Sequence, residues 1–251
     1  MTIAIVSDIH ANLEAFEAVL ADIRSKKIGE IYCLGDVVGY GPNPRECLLK
    51  AIPFKKTLMG NHEEAVLYYA EDFNDKARAA IEWTRAQLNA PERPKEENYE
   101  LWNFLDSMER SAMLGEKAML VHASPRMPTR EYVLPKDVTN GPKMRALFEA
   151  QPVPLCFGGH THVPGVFTED PRFLSTEDLG GEYRLDGSKV LVNVGSVGQP
   201  RDGDPRAAYV TFDGARVRFQ RVAYDVQSTV AKIRAIDALP EFLAGRLLKG
   251  R

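Results

Sequence analysis

Hydrophobic positions fall along this chain in two rhythms: short unbroken apolar runs, and stretches whose apolar residues recur every three or four positions. The first run, Ile3-Ala4-Ile5-Val6, is apolar on both faces, as expected of a parallel strand buried on both sides. Leu13, Phe16, Leu20 and Ile23 follow at helical spacing, with Asn12 placed to cap that helix. Ile31 to Leu34 predicts a second strand. Asn43-Pro44-Arg45-Glu46 predicts a helix start, with Asn43 as the cap, Pro44 in the first turn and Glu46 closing a capping box. Lys55 to Met59 predicts a third strand, so the chain opens as β-α-β-α-β with polar motifs after the strands. Ligands of open α/β sheets bind at those carboxyl ends.

Between residues 63 and 115 the rhythm is helical, with Ala77, Ile81, Thr84 and Leu88 on one stripe and Leu101, Trp102 and Leu105 on another. The charged stretch Pro91 to Glu97 breaks the two apart. This predicts a helical insert after the third strand. It could pack on the sheet, cap a site or make an oligomer contact. Beyond it, Ala118 to Val121 and Leu155 to Phe157 predict strands, with a loop from Ser124 and a helix over Lys143 to Ala150 between them. Val163 to Thr168, Lys189 to Val192, Ala208 to Phe212 and Val217 to Val222 predict further strands, the last two joined by an Asp213-Gly214 hairpin turn. Val226, Val230 and Ile233 mark a C-terminal helix. No internal repeat appears, and residues 1–251 are expected to form one domain.

Composition narrows the function classes. A hydrophobic fraction of 44% with 27% charged residues fits a soluble globular protein. The net charge of −3 supplies no global basic field to recruit nucleic acid, and no nucleic-acid partner is expected. A phosphate ester would then need positive charge from bound metal ions. The three cysteines have no metal-type spacing, and Cys33 and Cys156 lie in apolar runs as reduced core residues, which favours the cytoplasm. There is no apolar run of transmembrane length and no signal-peptide pattern, so no membrane association is expected. Oligomeric state stays open.

The histidines change the picture most. All five, His10, His62, His122, His160 and His162, follow apolar runs that end in small residues or Asp. Asp8-x-His10 and His160-x-His162 each put two donors at alternate positions, able to face one side as a strand ends. Asp36 stands after the second strand with two oxygens to share between cations. With Asn61 and His122 the chain offers seven N and O donors and no thiolate, a set suited to Mn²⁺, Fe, Zn²⁺ or Ni²⁺. A structural zinc site closes with four ligands. Seven donors suit two metals roughly 3.5–4 Å apart.

Asp8-x-His10, Gly35-Asp36-x-x-x-x-Gly41, Gly60-Asn61-His62-Glu63, Val121-His122-Ala123 and Gly159-His160-Thr161-His162 together resemble the signature set of the calcineurin-like metallophosphoesterases, in the family's order. The resemblance implies an α/β fold, a four-layer α/β/β/α sandwich of two mixed sheets flanked by helices, with a two-metal site at the strand ends. It implies that Asp8, His10 and His162 bind one metal, that Asp36 bridges, and that Asn61, His122 and His160 bind the other. The implied reaction is in-line attack on phosphorus by a metal-bridging hydroxide. His62 is similar to the family's non-ligand histidine, which protonates the leaving oxygen or stabilises the transition state. Glu63 could orient that ring, or serve as a first-turn helix acid.

The chain departs from two relatives. Protein serine/threonine phosphatases and symmetrical diadenosine tetraphosphatases carry an Arg after the Gly-Asp motif, and Val37 and Val38 stand here instead. Gly39-Tyr40-Gly41-Pro42 and Asn193 to Arg201 look like the small prokaryotic phosphodiesterase-like branch. The glycines of the latter run let backbone N–H groups approach an anion, and Arg201 could contact a phosphate oxygen. Asn12 and Tyr40 are further substrate-binding candidates at the site rim. The expected function is hydrolysis of a small phosphodiester or phosphomonoester by a metal-dependent phosphoesterase. A dinucleoside polyphosphate substrate, or a non-catalytic metal-binding scaffold of the same fold, are the alternatives.

Overall fold

Ile3 to Val6 is fully buried and lies between a parallel and an antiparallel neighbour, the environment its unbroken apolar pattern calls for. The computed structural model describes residues 1–70 and 73–251; residues 71–72, inside the expected insert, lie outside the described residues. The chain begins β1 (Ile3–Val6), α1 (Leu13–Ser25), β2 (Ile31–Cys33), α2 (Pro44–Ala51), β3 (Lys56–Thr57), α3 (Asn61–Leu67), α4 (Asp75–Leu88) and α5 (Lys95–Asp106). It continues through β4 (Ser111–Leu114), β5 (Ala118–Val121), a 3-10 turn at Pro135–Thr139, α6 (Gly141–Ala150) and β6 (Leu155–Gly158). Then come β7 (Gly165–Thr168), β8 (Arg172–Ser175), β9 (Glu182–Arg184), β10 (Val190–Asn193), β11 (Ala207–Phe212), β12 (Arg216–Val222), α7 (Val226–Arg234) and α8 (Glu241–Leu247).

Two six-stranded mixed sheets result, in the orders β3-β2-β1-β11-β12-β9 and β4-β5-β6-β10-β7-β8. Ile3, Ile5, Leu34, Val210 and Val217 of the first sheet meet Leu120, Leu155, Phe157, Val190 and Val192 of the second. The outer face of the first sheet (Ala4, Val6, Tyr209) is covered by α1, α2, α4 and α5 through Phe16, Val19, Leu48, Ile81, Leu88 and Leu101. Met144, Leu147 and Phe148 of α6 cover the other outer face. Alternation sends successive strand residues to opposite faces, so doubly covered sheets need strands apolar throughout. Each such side chain contributes about 1.5–3 kcal/mol when fully buried.

The insert packs as its stripes suggest, with Leu88, Leu101 and Leu105 in the helical core. Arg45 of α2, only 3% exposed, fastens it by donating to the carbonyl of Gln87 (2.9 Å), to Asn98 Oδ1 (2.7 Å) and to Glu97. The helical reading runs too far, however, because Ser111–Leu114 is strand β4. β4, β8 and β9, none of them expected, are all edge strands, paired on one side only and mostly half-buried. Their patterns therefore carry little apolar signal. β3 is cut to two residues and is likewise an edge.

Asn43 stands at the N-cap of α2, but its side chain makes no cap bond there. Its oxygen instead accepts from Lys232 Nζ of α7 at 3.2 Å. α8 was not expected, since seven residues carry too few apolar repeats to show a period. All three cysteines are buried and free. Among the described residues no helix is long and apolar enough to cross a membrane.

Candidate metal centre

Five strand ends from the two sheets converge on one buried cluster. Asp8 and His10 follow β1, and Asp36 follows β2. Asn61 and His62 open α3 just after β3, His122 follows β5, and His160 and His162 follow β6. The turns after β1, β2 and β6 bend through left-handed residues. Among the described residues eight non-glycine positions have positive φ, and seven, Asp8, His10, Ala11, Asp36, Tyr40, His160 and His162, are in these turns. A left-handed residue with a side chain costs roughly 1–2 kcal/mol, and such strain collects where function demands it. Gly39, at φ +87°, lies against the His62 ring, and a Cβ there would fall 2.0 Å from Nδ1.

His10 and His162 turn their Nε2 atoms toward each other. Their Nδ1 atoms face main-chain carbonyls, those of Val38 (3.1 Å) and Gln199 (2.5 Å). A carbonyl only accepts, so each Nδ1 carries the proton and each Nε2 is left with a lone pair. Burial lowers both rings' pKa, with Asp36 and Asp8 opposing it, so neither Nε2 is protonated near neutral pH. Yet the two Nε2 atoms are 3.1 Å apart, and Asp8 Oδ1 is 3.1 Å from His162 Nε2 and 3.7 Å from His10 Nε2. Three acceptors face one another with no hydrogen between them. A cation between them fits this arrangement, and a hydrogen bond does not.

The second group contains Asp36, His122 and His160, with Asn61 beside them. His122 Nε2 is 3.1 Å from His160 Nδ1, 3.1 Å from Asn61 Oδ1 and 3.4 Å from Asp36 Oδ2. Asp36 Oδ2 also lies 3.7 Å from His10 Nε2, so this one oxygen faces both groups. Burial works against a charged His122, but Asp36 outweighs it and holds the ring's pKa up at about 9. A divalent cation would displace that proton, as metal binding to histidine does. The donors of both groups therefore suit two divalent ions.

His62 also forms a group with His10 and Asp36 that could hold an ion, but it stands farther from the Asp36 Oδ2 atom than His10 or His122 does. Its ring is buried, with Nε2 4.0 Å from Asp36 Oδ2 and Nδ1 unpartnered among the described residues. Burial lowers its pKa to about 4 despite Asp36, so it is neutral at pH 7. Glu63 does not orient this ring. Its carboxylate accepts from the main-chain N–H groups of Asp36 (2.7 Å), Val38 (3.0 Å) and Gly60 (2.9 Å). The turn of α3 points it away from the imidazole and into the backbone behind Asp36.

The three substrate-binding candidates separate. Tyr40 is at the site, its ring 4.4 Å from that of His62 and 4.7 Å from that of His10. The Arg201 guanidinium lies 5.9 Å from the Tyr40 ring centre and donates to Gln199 Oε1 at 2.7 Å. Asn12 does not face the site. It is 1% exposed, accepts from Ala15 N–H (3.1 Å) and Thr229 Oγ1 (3.0 Å), and donates to the Gly198 carbonyl (2.8 Å) and the Tyr224 hydroxyl (3.2 Å). Every capacity of its amide is used within the fold, which contradicts a substrate contact.

Tyr132 and Phe73 were not singled out from the sequence. The Tyr132 ring is 4.0 Å from that of His160, and the Phe73 ring is 5.0 Å from that of His62. With Tyr40, Tyr69, Met127 and Arg130 they border a cavity of about 420 Å³ that reaches Asn61 and His160. The N-terminal turn of α4, through Asn74 and Ala77, forms one wall, so the insert both packs on the sheet side and borders the site.

Sandwich and strand-end cluster are the arrangement that the calcineurin-like metallophosphoesterase resemblance implies. Residues 1–215 match the family model of the calcineurin-like phosphoesterase superfamily domain, and the chain belongs to that superfamily. It is similar to the protein MJ0912 of Methanocaldococcus jannaschii, at 38% identity over 99% of this chain and 98% of that one. Among solved structures it is similar to a metallophosphoesterase from Sphaerobacter thermophilus, with 38% identity, complete coverage of both chains and a TM-score of 0.81. The hypothetical protein PH1004 from Pyrococcus horikoshii, at 20% identity, shares the fold over 100% of this chain and 98% of that one, with a TM-score of 0.77.

Proposed function

We propose that this protein is a dinuclear, metal-dependent phosphoesterase that hydrolyses a small phosphodiester or phosphomonoester. Asp8, His10 and His162 hold one divalent ion, Asn61, His122 and His160 hold the other, and Asp36 is shared. The observation that carries this reading is the meeting of His10 Nε2, His162 Nε2 and Asp8 Oδ1 within 3.1–3.7 Å while both Nδ1 atoms face main-chain carbonyls. Donors of this kind suit Mn²⁺, Fe, Zn²⁺ or Ni²⁺. When bound, such a pair of ions supplies an activated water and offsets charge on the phosphoryl oxygens.

The chain's own groups do the rest. His62 is neutral and dry at neutral pH, so it gives an N–H hydrogen bond to the leaving oxygen rather than approaching it as an imidazolium. Tyr40 and Gly39 brace its ring from two sides. Arg201, with no carboxylate paired to it among the described residues, is free to meet a phosphate oxygen. The aromatic cavity beside His160 takes the ester's organic group.

The test compares bis-p-nitrophenyl phosphate with p-nitrophenyl phosphate, using protein stripped of metal and reloaded with Mn²⁺, Ni²⁺, Zn²⁺ or Mg²⁺ in turn. Turnover that needs metal and is lost in Asp36→Asn and His62→Ala is the expected result, and the diester-to-monoester ratio sets the substrate class. Two metals bound per chain without turnover of either ester would sink the catalytic reading and favour a binding scaffold.

A further inference from the structure

The cavity beside the metal centre is lined with rings. Tyr40, Tyr69, Phe73 and Tyr132 border it together with Met127, and among the described residues no Leu, Ile or Val does. Ala65 of α3 and Ala77 of α4 contribute only methyl groups, which leaves the space to the rings. A second cavity, of about 590 Å³, lies where β5 and β6 begin, at the other end of these strands from His122 and His160. It is lined by Leu114, Leu155 and Leu185, with Phe212 as its one aromatic ring. Aromatic lining is therefore a property of the site and not of every hollow in this fold.

Three of these side chains stay open to water despite their size: Tyr69 is 76% exposed, Met127 53% and Tyr132 49%. The other contacts of the rings are with the histidines of the site. Tyr132 lies against His160, ring centres 4.0 Å apart, and Phe73 meets His62 edge-on at 5.0 Å and 87°. Tyr40 packs on His62 at 4.4 Å. The rings are thus anchored on imidazoles beside the metal centre, and the surface they leave uncovered borders the cavity. Large apolar side chains left open around a concavity mark a place where an apolar group binds.

We propose that the organic group of the ester carries a planar aromatic ring, and that Tyr132 and Phe73 determine this specificity. The inference rests on the phosphoesterase reading, which puts the phosphate at the metal centre and so the organic group in the cavity. Aromatic rings pair offset or edge-to-face through their charge distribution, and a saturated ring of the same size gains nothing from that pairing. The Met127 sulfur likewise favours an aromatic neighbour. An aryl ester and a nucleotide share this chemistry and differ in how many bonds separate the ring from phosphorus.

The experiment is calorimetric titration of the Mn²⁺-loaded protein with phenyl-, benzyl-, 3-phenylpropyl- and 5-phenylpentylphosphonate, each against the phosphonate with cyclohexyl in place of phenyl. These probes are not hydrolysed. At one length or more the aromatic member should bind about fivefold or more tightly than its saturated partner. A preference greatest for the phenyl or benzyl pair assigns an aryl ester, and one greatest at the longer spacers assigns a nucleotide-like ester. Tyr132→Leu and Phe73→Leu should each bring the ratio at that length to within about twofold, and Tyr132→Phe, which keeps the ring, should preserve it. Tyr99→Leu, a change at an exposed ring outside the cavity, should leave the ratio as it is. Equal binding of both members at every length would overturn the inference and leave the phosphoesterase reading standing. A preference that survives both Leu variants, as one set by phosphonate acidity would, overturns it too. Binding of neither member at any length, with no turnover of the p-nitrophenyl esters, would refute the phosphoesterase reading and the inference with it.

Discussion

Glu63 receives the main-chain N–H of Asp36 in a 2.7 Å hydrogen bond, so a side chain at the start of α3 sets the position of the carboxylate shared between the two donor groups. Two more N–H groups, of Val38 and Gly60, end on the same carboxylate. Asp36 in turn accepts the His62 N–H through Oδ1 at 2.9 Å, which leaves Oδ2 for the cluster. The turns after β2 and β3 are thus locked to each other through two carboxylates.

Glu63→Gln tests that lock. The amide keeps the shape but turns one oxygen into a donor that faces a main-chain donor. A buried group left unpaired costs about 1–3 kcal/mol. Groups that hold metal ligands from behind cost about 10–100-fold in metal affinity or activity when removed. Thermal melts, metal content by mass spectrometry and kcat should all fall together. Wild-type metal affinity in the variant would show that Asp36 does not depend on Glu63.

Asn12→Ala separates a structural residue from a substrate contact. The change removes the α1 cap and the bonds to Gly198, Tyr224 and Thr229. A lost cap alone costs about 0.5–2 kcal/mol, and the newly unpaired Gly198 carbonyl adds to it. We expect a lower Tm with KM for p-nitrophenyl phosphate within a factor of two. A large rise in KM at unchanged Tm would return Asn12 to the substrate side.

The site was largely legible in the sequence because each of its motifs is local. A strand end, a sharp turn and one or two ligands occupy three to five consecutive residues, so Asp8-x-His10 and His160-x-His162 can be read without knowing the fold. Helices α1 and α4 were legible for a similar reason, since their buried faces repeat along the chain. Tyr132 was not, because what brings it in is long-range, the ring contact with His160 across 28 positions of the chain. Glu63 could be read only as a helix acid or a ring orienter. Its N–H donors at Asp36 and Val38 come from 27 and 25 residues earlier in the chain. β4, β8 and β9 escaped because an edge strand can pair well while keeping a polar, half-exposed pattern.

Asp36→Asn and His62→Ala should fail in different ways. Asp36 faces both donor groups, so its amide variant loses charge at the shared position, and bound metal should drop well below two per chain. The His62 ring is 4.0 Å from Asp36 Oδ2, farther than the rings of His10 (3.7 Å) and His122 (3.4 Å), so although it can reach His10 and Asp36, His62→Ala should keep its metal. Its kcat should fall by about 10²–10³, the range for losing one hydrogen-bond donor at an oxygen where charge develops. Metal analysis beside kcat separates the two. Equal metal loss in both would make His62 a ligand.

Glu131 supplies the clearest pH dependence. It sits in the loop that presents Tyr132 to His160, where it accepts from Ser124 Oγ (2.5 Å) and Arg126 Nε (3.2 Å). Ser124 Oγ in turn accepts the Met127 N–H at 3.0 Å, so the carboxylate ties the loop together. Burial acts to raise its pKa, but the bonds from Arg126 and Ser124 outweigh burial and leave it below the ordinary value of 4.5. Between the folded and unfolded pKa the unfolded chain binds more protons, so stability rises with pH there. The contribution is complete above about pH 4.5 and disappears as pH falls through the lowered value. Charge-assisted bonds of this kind are worth about 1.5–3 kcal/mol, and each kcal/mol moves Tm by roughly 2–4 °C in a chain of this size. Glu131→Gln should therefore melt several degrees below wild type at pH 7, and the two curves should converge once the pH has fallen through the lowered value. A gap that persists unchanged into acid would mean that shape and not charge holds this loop, and that Tyr132 is positioned by packing alone.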